Sequence, residues 1–163
     1  MNVGKRLAAA LLALAALPLA TGTAAGGTRE FDRAGMQAIT ARHCGKGPFA
    51  LALWSLDCPH CKDGLVTLEK LRRKHPALGI VLIQTDASEQ AEAGAELLDR
   101  LGIATGERWI FGDEAPERLR YTVDRQWGGE LPRTYLYQAD CRRTGISGAL
   151  KSEHLRAWLR DEQ

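Results

Sequence analysis

An unbroken apolar run, Phe49-Ala50-Leu51-Ala52-Leu53-Trp54, leads into Cys58-Pro59-His60-Cys61, and an amphipathic pattern starts directly behind it. A run that is apolar at every position is what a strand buried on both faces needs. Leu65, Leu68, Leu71 and Arg72 then recur at helical spacing until His75-Pro76 ends the pattern. The chain therefore enters a core as a strand, turns on two cysteines and leaves as a helix. A helix N-terminus presents unpaired N–H groups and the positive end of the helix dipole, so a thiol placed there ionises readily. A thiolate attacks disulfides and a thiol barely does. Two intervening residues let the second sulfur reach the first.

The remaining pattern alternates strand and helix. Phe31, Ala34, Ala38, Ile39 and Arg42 predict a helix over about 31–42, stopped by Gly45-Lys46-Gly47-Pro48. Gly79 to Thr85 reads as a second buried strand, which makes a right-handed parallel βαβ unit the default. Ser88 is expected to cap a helix carrying Ala91, Ala95, Leu98 and Leu101 on one face. Trp109-Ile110-Phe111 predicts a short strand and Pro116 to Tyr121 a short helix. Gly128-Gly129 breaks the chain before Leu131-Pro132, and Thr134 to Tyr137 reads as a strand. Asp140 to Gly145 reads as a turn and Ile146 as the start of a short last strand. Leu150, His154, Leu155 and Trp158 line one face of a C-terminal helix. No repeat or second domain shows, so residues 26–163 are expected to form a single domain with an α/β core.

Residues 1–25 have the form of a secretory signal peptide. Lys5 and Arg6 precede an Ala/Leu run from Leu7 to Leu17, Pro18 ends it, and small residues follow. That run is shorter than the ~20 apolar residues of a membrane span, so membrane association is expected only through an uncleaved signal. Export to the periplasm or beyond places the four cysteines where disulfides persist. Without Lys5 and Arg6 the chain carries 20 basic and 20 acidic residues. This balance argues against a nucleic-acid partner.

With these residues in place, the chain resembles the thioredoxin superfamily, and within it the exported TlpA/ResA-like thiol-disulfide oxidoreductases. Trp54 stands four residues before Cys58, Cys58 and Cys61 fill the active-site pair, and Leu131-Pro132 matches the X-cis-Pro loop. Pro132-Arg133-Thr134-Tyr135-Leu136 resembles the P-x-T-aromatic-aliphatic start of the next strand. The resemblance implies a thioredoxin-like fold: a central mixed sheet flanked by helices, with a TlpA-type helix-strand insertion between Ser88 and Phe111. It also departs from the pattern. Ala52 and Gly64 stand where relatives carry a buried acid, Asp63 points elsewhere, and Asp57 replaces the usual aromatic or small residue before the first cysteine. The proton acceptor for Cys61 is therefore unassigned. A helix takes the place of the N-terminal hairpin common in such proteins.

The resemblance implies a nucleophilic Cys58 and a resolving Cys61, with protein thiols or disulfides as substrates and a redox partner that the sequence does not name. No metal or organic cofactor is required, since the dithiol carries the electrons. The Pro59-His60 pair is that of the oxidase DsbA, a strong oxidant at about −120 mV against about −270 mV for thioredoxin. His60 favours the thiolate, while a carboxylate at Asp57 opposes it. The two together lead us to expect a mildly oxidising protein. Leu131 and Pro132 are expected to offer backbone to an extended substrate strand, with Trp54 shaping the surface beneath. In the fold implied, the strand after Pro132 runs antiparallel to the one before Cys58, which brings Cys141 near Cys44 and predicts a structural disulfide between them. The alternatives are a zinc site shared by the four cysteines, or a non-catalytic binding module of the same fold with a structural disulfide or metal clamp.

Overall fold

The computed structural model describes residues 27–104 and 106–160; the signal peptide expected over 1–25 lies outside them. In chain order the elements are β1 (Arg29–Phe31), α1 (Arg33–His43), β2 (Phe49–Trp54), α2 (Cys61–Lys74), β3 (Gly79–Gln84), α3 (Ala91–Arg100), β4 (Glu107–Phe111), α4 (Pro116–Val123), β5 (Arg133–Tyr137), β6 (Arg143–Ser147) and α5 (Ser152–Arg160). The strands form one sheet in the order β1-β4-β3-β2-β5-β6. The neighbouring pairs β1–β4, β4–β3 and β3–β2 are parallel, whereas β5 runs antiparallel to β2 and β6 antiparallel to β5.

All six residues of β2 are buried, because helices cover both faces of the sheet. Period-two alternation sorts them. Ala50, Ala52 and Trp54 join Cys58, Cys61, Leu65 and Leu68 in one core, closed by Leu98 of α3 and by Leu155 and Trp158 of α5. Phe49, Leu51 and Leu53 face the other core with Ile39 of α1 and Leu119 of α4. Leu51 and Leu53 are 0% and 1% exposed, and burying such a side chain stabilises the fold by about 1.5–3 kcal/mol. The cysteine pair thus sits on the face that carries Ala50, Ala52 and Trp54.

The helix expected over 31–42 starts later. Residues 29–31 are β1, and Asp32 caps α1 by accepting a hydrogen bond from the Gly35 N–H at 2.7 Å. Phe31 is drawn into the sheet by its place beside Phe111, on which it stacks at 5.8 Å. Gly35 is needed because a Cβ there would come within 2.9 Å of the Trp109 ring. Ser88 does not cap α3. It opens a single 3₁₀ turn over Ser88–Gln90, and its hydroxyl donates to Asp113 at 3.0 Å. The last strand starts at Arg143 rather than Ile146. Its pairing with β5 satisfies the backbone, while four of its five residues stay exposed.

Candidate active site

Trp54 ends β2, and Ser55 to His60 form the loop that carries Cys58 into α2. The helix begins at Cys61, so Cys58 lies just ahead of it rather than in its first turn. His60 occupies the N-cap position and its side chain makes no capping bond. Cys58 N–H donates to Ser55 O at 3.3 Å and Cys61 N–H to Cys58 O at 3.2 Å, which winds the loop into two successive turns. These turns bring Cys58 and Cys61 into a disulfide with their Cα atoms 5.4 Å apart. Cys58 is 8% exposed and Cys61 1%. Cys58 is therefore the more exposed residue of the pair. Asp57, Pro59 and His60 are all exposed around it.

Pro132 arrives from the other side. The Leu131–Pro132 peptide is cis. Arg133 opens β5 opposite Leu53, so Pro132 stands level with Trp54, at the end of the sheet from which the Cys58 loop departs. Leu131 is partly buried between the two cores. Trp54 is 2% exposed beneath this site, and its indole nitrogen has no hydrogen-bond partner among the described residues.

Cys44 and Cys141 are also joined, with Cα atoms 5.3 Å apart and a sequence separation of 97. They sit at the opposite end of the same strand pair, where Phe49 lies opposite Tyr137. Cys44 caps the C-terminus of α1, and Cys141 takes a left-handed backbone conformation (φ 70°) in the turn between β5 and β6. The four sulfurs thus form two bonded pairs rather than one four-thiolate cluster.

Solved structures resemble this arrangement. A secreted Mycobacterium tuberculosis disulfide oxidoreductase homologous to E. coli DsbE shares 21% identity over 74% of this chain and 85% of its own, with a TM-score of 0.57. A thiol-disulfide isomerase from Corynebacterium glutamicum shares 17% over 75% and 83%, with a TM-score of 0.59. A thiol:disulfide interchange protein of the thioredoxin family from Chlorobium tepidum shares 16% over 76% and 83%, also at 0.59. The chain has the thioredoxin fold. At these identities the likeness is one of fold, and no protein-family model or curated protein matches the sequence.

Within this thioredoxin fold, the sequence reading missed polar groups in two places, at the Cys58 loop and at Arg133 next to Pro132. At the loop is Asp86, just past the end of β3. Its carboxylate accepts from the Ser55 hydroxyl at 2.6 Å, the Leu56 N–H at 2.9 Å and the Gln84 amide at 2.9 Å. Beside Arg133 is Asp124. It accepts from the Tyr135 hydroxyl at 2.9 Å and the Gln126 N–H at 3.0 Å, and pairs with Arg133 at 3.5 Å and Arg143 at 3.6 Å. Burial alone would raise the Asp124 carboxyl; the Gln126 N–H, the Tyr135 hydroxyl and the two guanidiniums outweigh it and hold the group below the usual carboxylate range. Burial, reinforced by the bond to Asp124, pushes the Tyr135 hydroxyl up to about 12 against the pull of Arg133. A hydroxyl relay follows: Arg133 donates to Ser147 at 2.6 Å and Ser147 to Glu130 at 2.6 Å. Asp86 directly follows the strand expected over 79–85, whereas Asp124 stands three residues past the helix expected over 116–121 and carried no signal.

The buried carboxylate of α2 is Glu69, 6% exposed, and it is engaged by Arg72 and Arg73. It lies eight residues beyond Cys61, or about 12 Å along the helix axis, too far to take that thiol's proton directly.

Proposed function

We propose that the protein is an exported thiol-disulfide oxidoreductase acting on protein substrates through Cys58 and Cys61. The observation that supports this reading is the position of the disulfide. It lies at the start of a helix, Cys58 is its more exposed residue, and the cis Leu131–Pro132 peptide stands level with Trp54 just ahead of the neighbouring strand. In the reducing direction the Cys58 thiolate attacks a substrate disulfide. A mixed disulfide forms and one substrate thiolate leaves and is protonated. The Cys61 thiolate then attacks the Cys58 sulfur, releasing the second substrate thiol and closing the protein disulfide. Two electrons pass to the substrate, and an exported redox partner must restore the dithiol. Run backwards, the same steps oxidise a substrate dithiol. The backbone at Leu131 and Pro132 receives the extended substrate, and Asp57, Pro59 and His60 tune the pair.

The test is turnover on an insulin-type disulfide. Cys58→Ser is expected to abolish reduction, and Cys61→Ser to accumulate mixed disulfides that resist resolution. If Cys61→Ser turns over normally and traps nothing, the roles are wrong. If the reduced wild-type protein has no fast-reacting thiol, the fold serves binding rather than exchange.

A further inference from the structure

We infer that Asp86 is a positioning residue for the exchanging pair: through Ser55 and Leu56 it fixes the turn ahead of Cys58 and so sets how readily Cys58 and Cys61 close their disulfide. The inference rests on the reading of that pair as redox-active.

Trp54 and Gln84 are register partners at the ends of β2 and β3. Just beyond them the two strands end, and the Cys58 loop has no sheet to hold it. The Thr85 N–H donates to Trp54 O at 2.8 Å, the last backbone tie between the strands. From there Asp86 takes over. One oxygen takes the Ser55 hydroxyl and the other takes both the Leu56 N–H and the Gln84 amide. The carboxylate is itself held in place. Gln84 is 2% exposed and donates also to Gln90 O at 3.2 Å, at the entry to α3. Gly94 of α3 packs so closely that a Cβ there would overlap the Gln84 amide.

Ser55 passes this constraint on. Its hydroxyl accepts from the Asp57 N–H at 3.2 Å and its carbonyl accepts from the Cys58 N–H at 3.3 Å. Each residue from Ser55 to Cys58 therefore traces a hydrogen bond back to Asp86, directly or through one intermediary. Ring closure depends on the effective concentration of one thiol at the other. A loop free to move lowers that concentration and makes the disulfide easier to reduce.

The measured reaction is protein dithiol plus oxidised glutathione, giving protein disulfide and two reduced glutathiones. Full-length Asp86→Ala and Ser55→Ala are each expected to lower its equilibrium constant, Asp86→Ala by up to about tenfold, equivalent to about 30 mV. The double variant is expected to fall no further than Asp86→Ala alone, because both act through one chain of bonds. Ser55→Thr keeps the hydroxyl and should restore the wild-type constant. Ser55→Ala leaves the carboxylate in place and tests the loop constraint even where Asp86→Ala folds poorly. An unchanged constant in Ser55→Ala, or additive effects in the double variant, would overturn the inference. Absence of insulin reduction by the wild type sinks the functional reading instead, and leaves these equilibrium constants measurable.

Discussion

The two disulfides occupy opposite ends of one strand pair and have nearly the same Cα separation, 5.4 Å at Cys58–Cys61 and 5.3 Å at Cys44–Cys141. What differs is the chain between them. The first pair closes a loop with two intervening residues at the mouth of a helix. The second joins residues 97 apart, across a helix end and a turn. Loop length and surroundings thus set the two ends apart at matching Cα separation. The means of support differ too. At one end a disulfide ties α1 to the turn between β5 and β6, whereas at the other the Asp86 carboxylate ties the Cys58 loop to the end of β3.

The largest expected effect tests loop length. Cys44→Ala/Cys141→Ala should destabilise the oxidised protein by up to ~4.7 kcal/mol on the chain-entropy model, against ~2 kcal/mol for Cys58→Ala/Cys61→Ala. Insulin reduction should survive in the first double variant and vanish in the second. Equal losses in denaturant unfolding, or loss of turnover in the first, would break the contrast.

Next are the polar groups around Asp124. Asp124→Asn weakens the acceptor of the Tyr135 hydroxyl and removes the partner of two arginines, at a cost of about 1.5–3 kcal/mol. Because the folded carboxyl is held below its ordinary value of 3.8, its contribution is present above that pH and lost as pH falls through the lower folded value. Wild-type melting temperature should therefore fall on acidification in that range, and Asp124→Asn should flatten part of the slope. An identical acid limb in both proteins would show that Asp124 titrates alike folded and unfolded.

The smallest effect concerns tuning. His60→Pro removes a group able to favour the Cys58 thiolate, so the pair should become more reducing by about 30 mV, or ~1.4 kcal/mol. A glutathione titration giving an unchanged or higher potential would assign the tuning elsewhere.

The sequence made the centre of this molecule legible and its margins much less so. β2 and β3 could be read because strands covered on both faces are apolar at every position, and α2 because its leucines recur at helical spacing. β1 could not, since three residues carry too little pattern to separate a strand from the start of a helix. β6 was read late because an edge strand with one solvated face can hold Arg143, Thr144 and Gly145 without any apolar signature. Within the site, cysteines and prolines announce themselves by type. Asp86 does not: an aspartate after a strand looks like any turn residue until the fold brings it against Ser55, 31 positions earlier.

The Cys44–Cys141 bond has a mechanical consequence. It makes residues 44–141 a covalent ring that contains Cys58, Cys61 and Pro132, so tension applied at the chain ends bypasses the ring's interior. Stretched in an atomic-force experiment, the oxidised protein should extend only through the segments flanking the ring. The ring withholds roughly 330 Å of contour length, which should appear in the force trace only after a strong reductant opens the bond. Any partner or anchor that pulled on either terminus would strain β1 and α1, or β6 and α5, and leave β2 and β3, beneath the cysteine pair, outside the covalent load path.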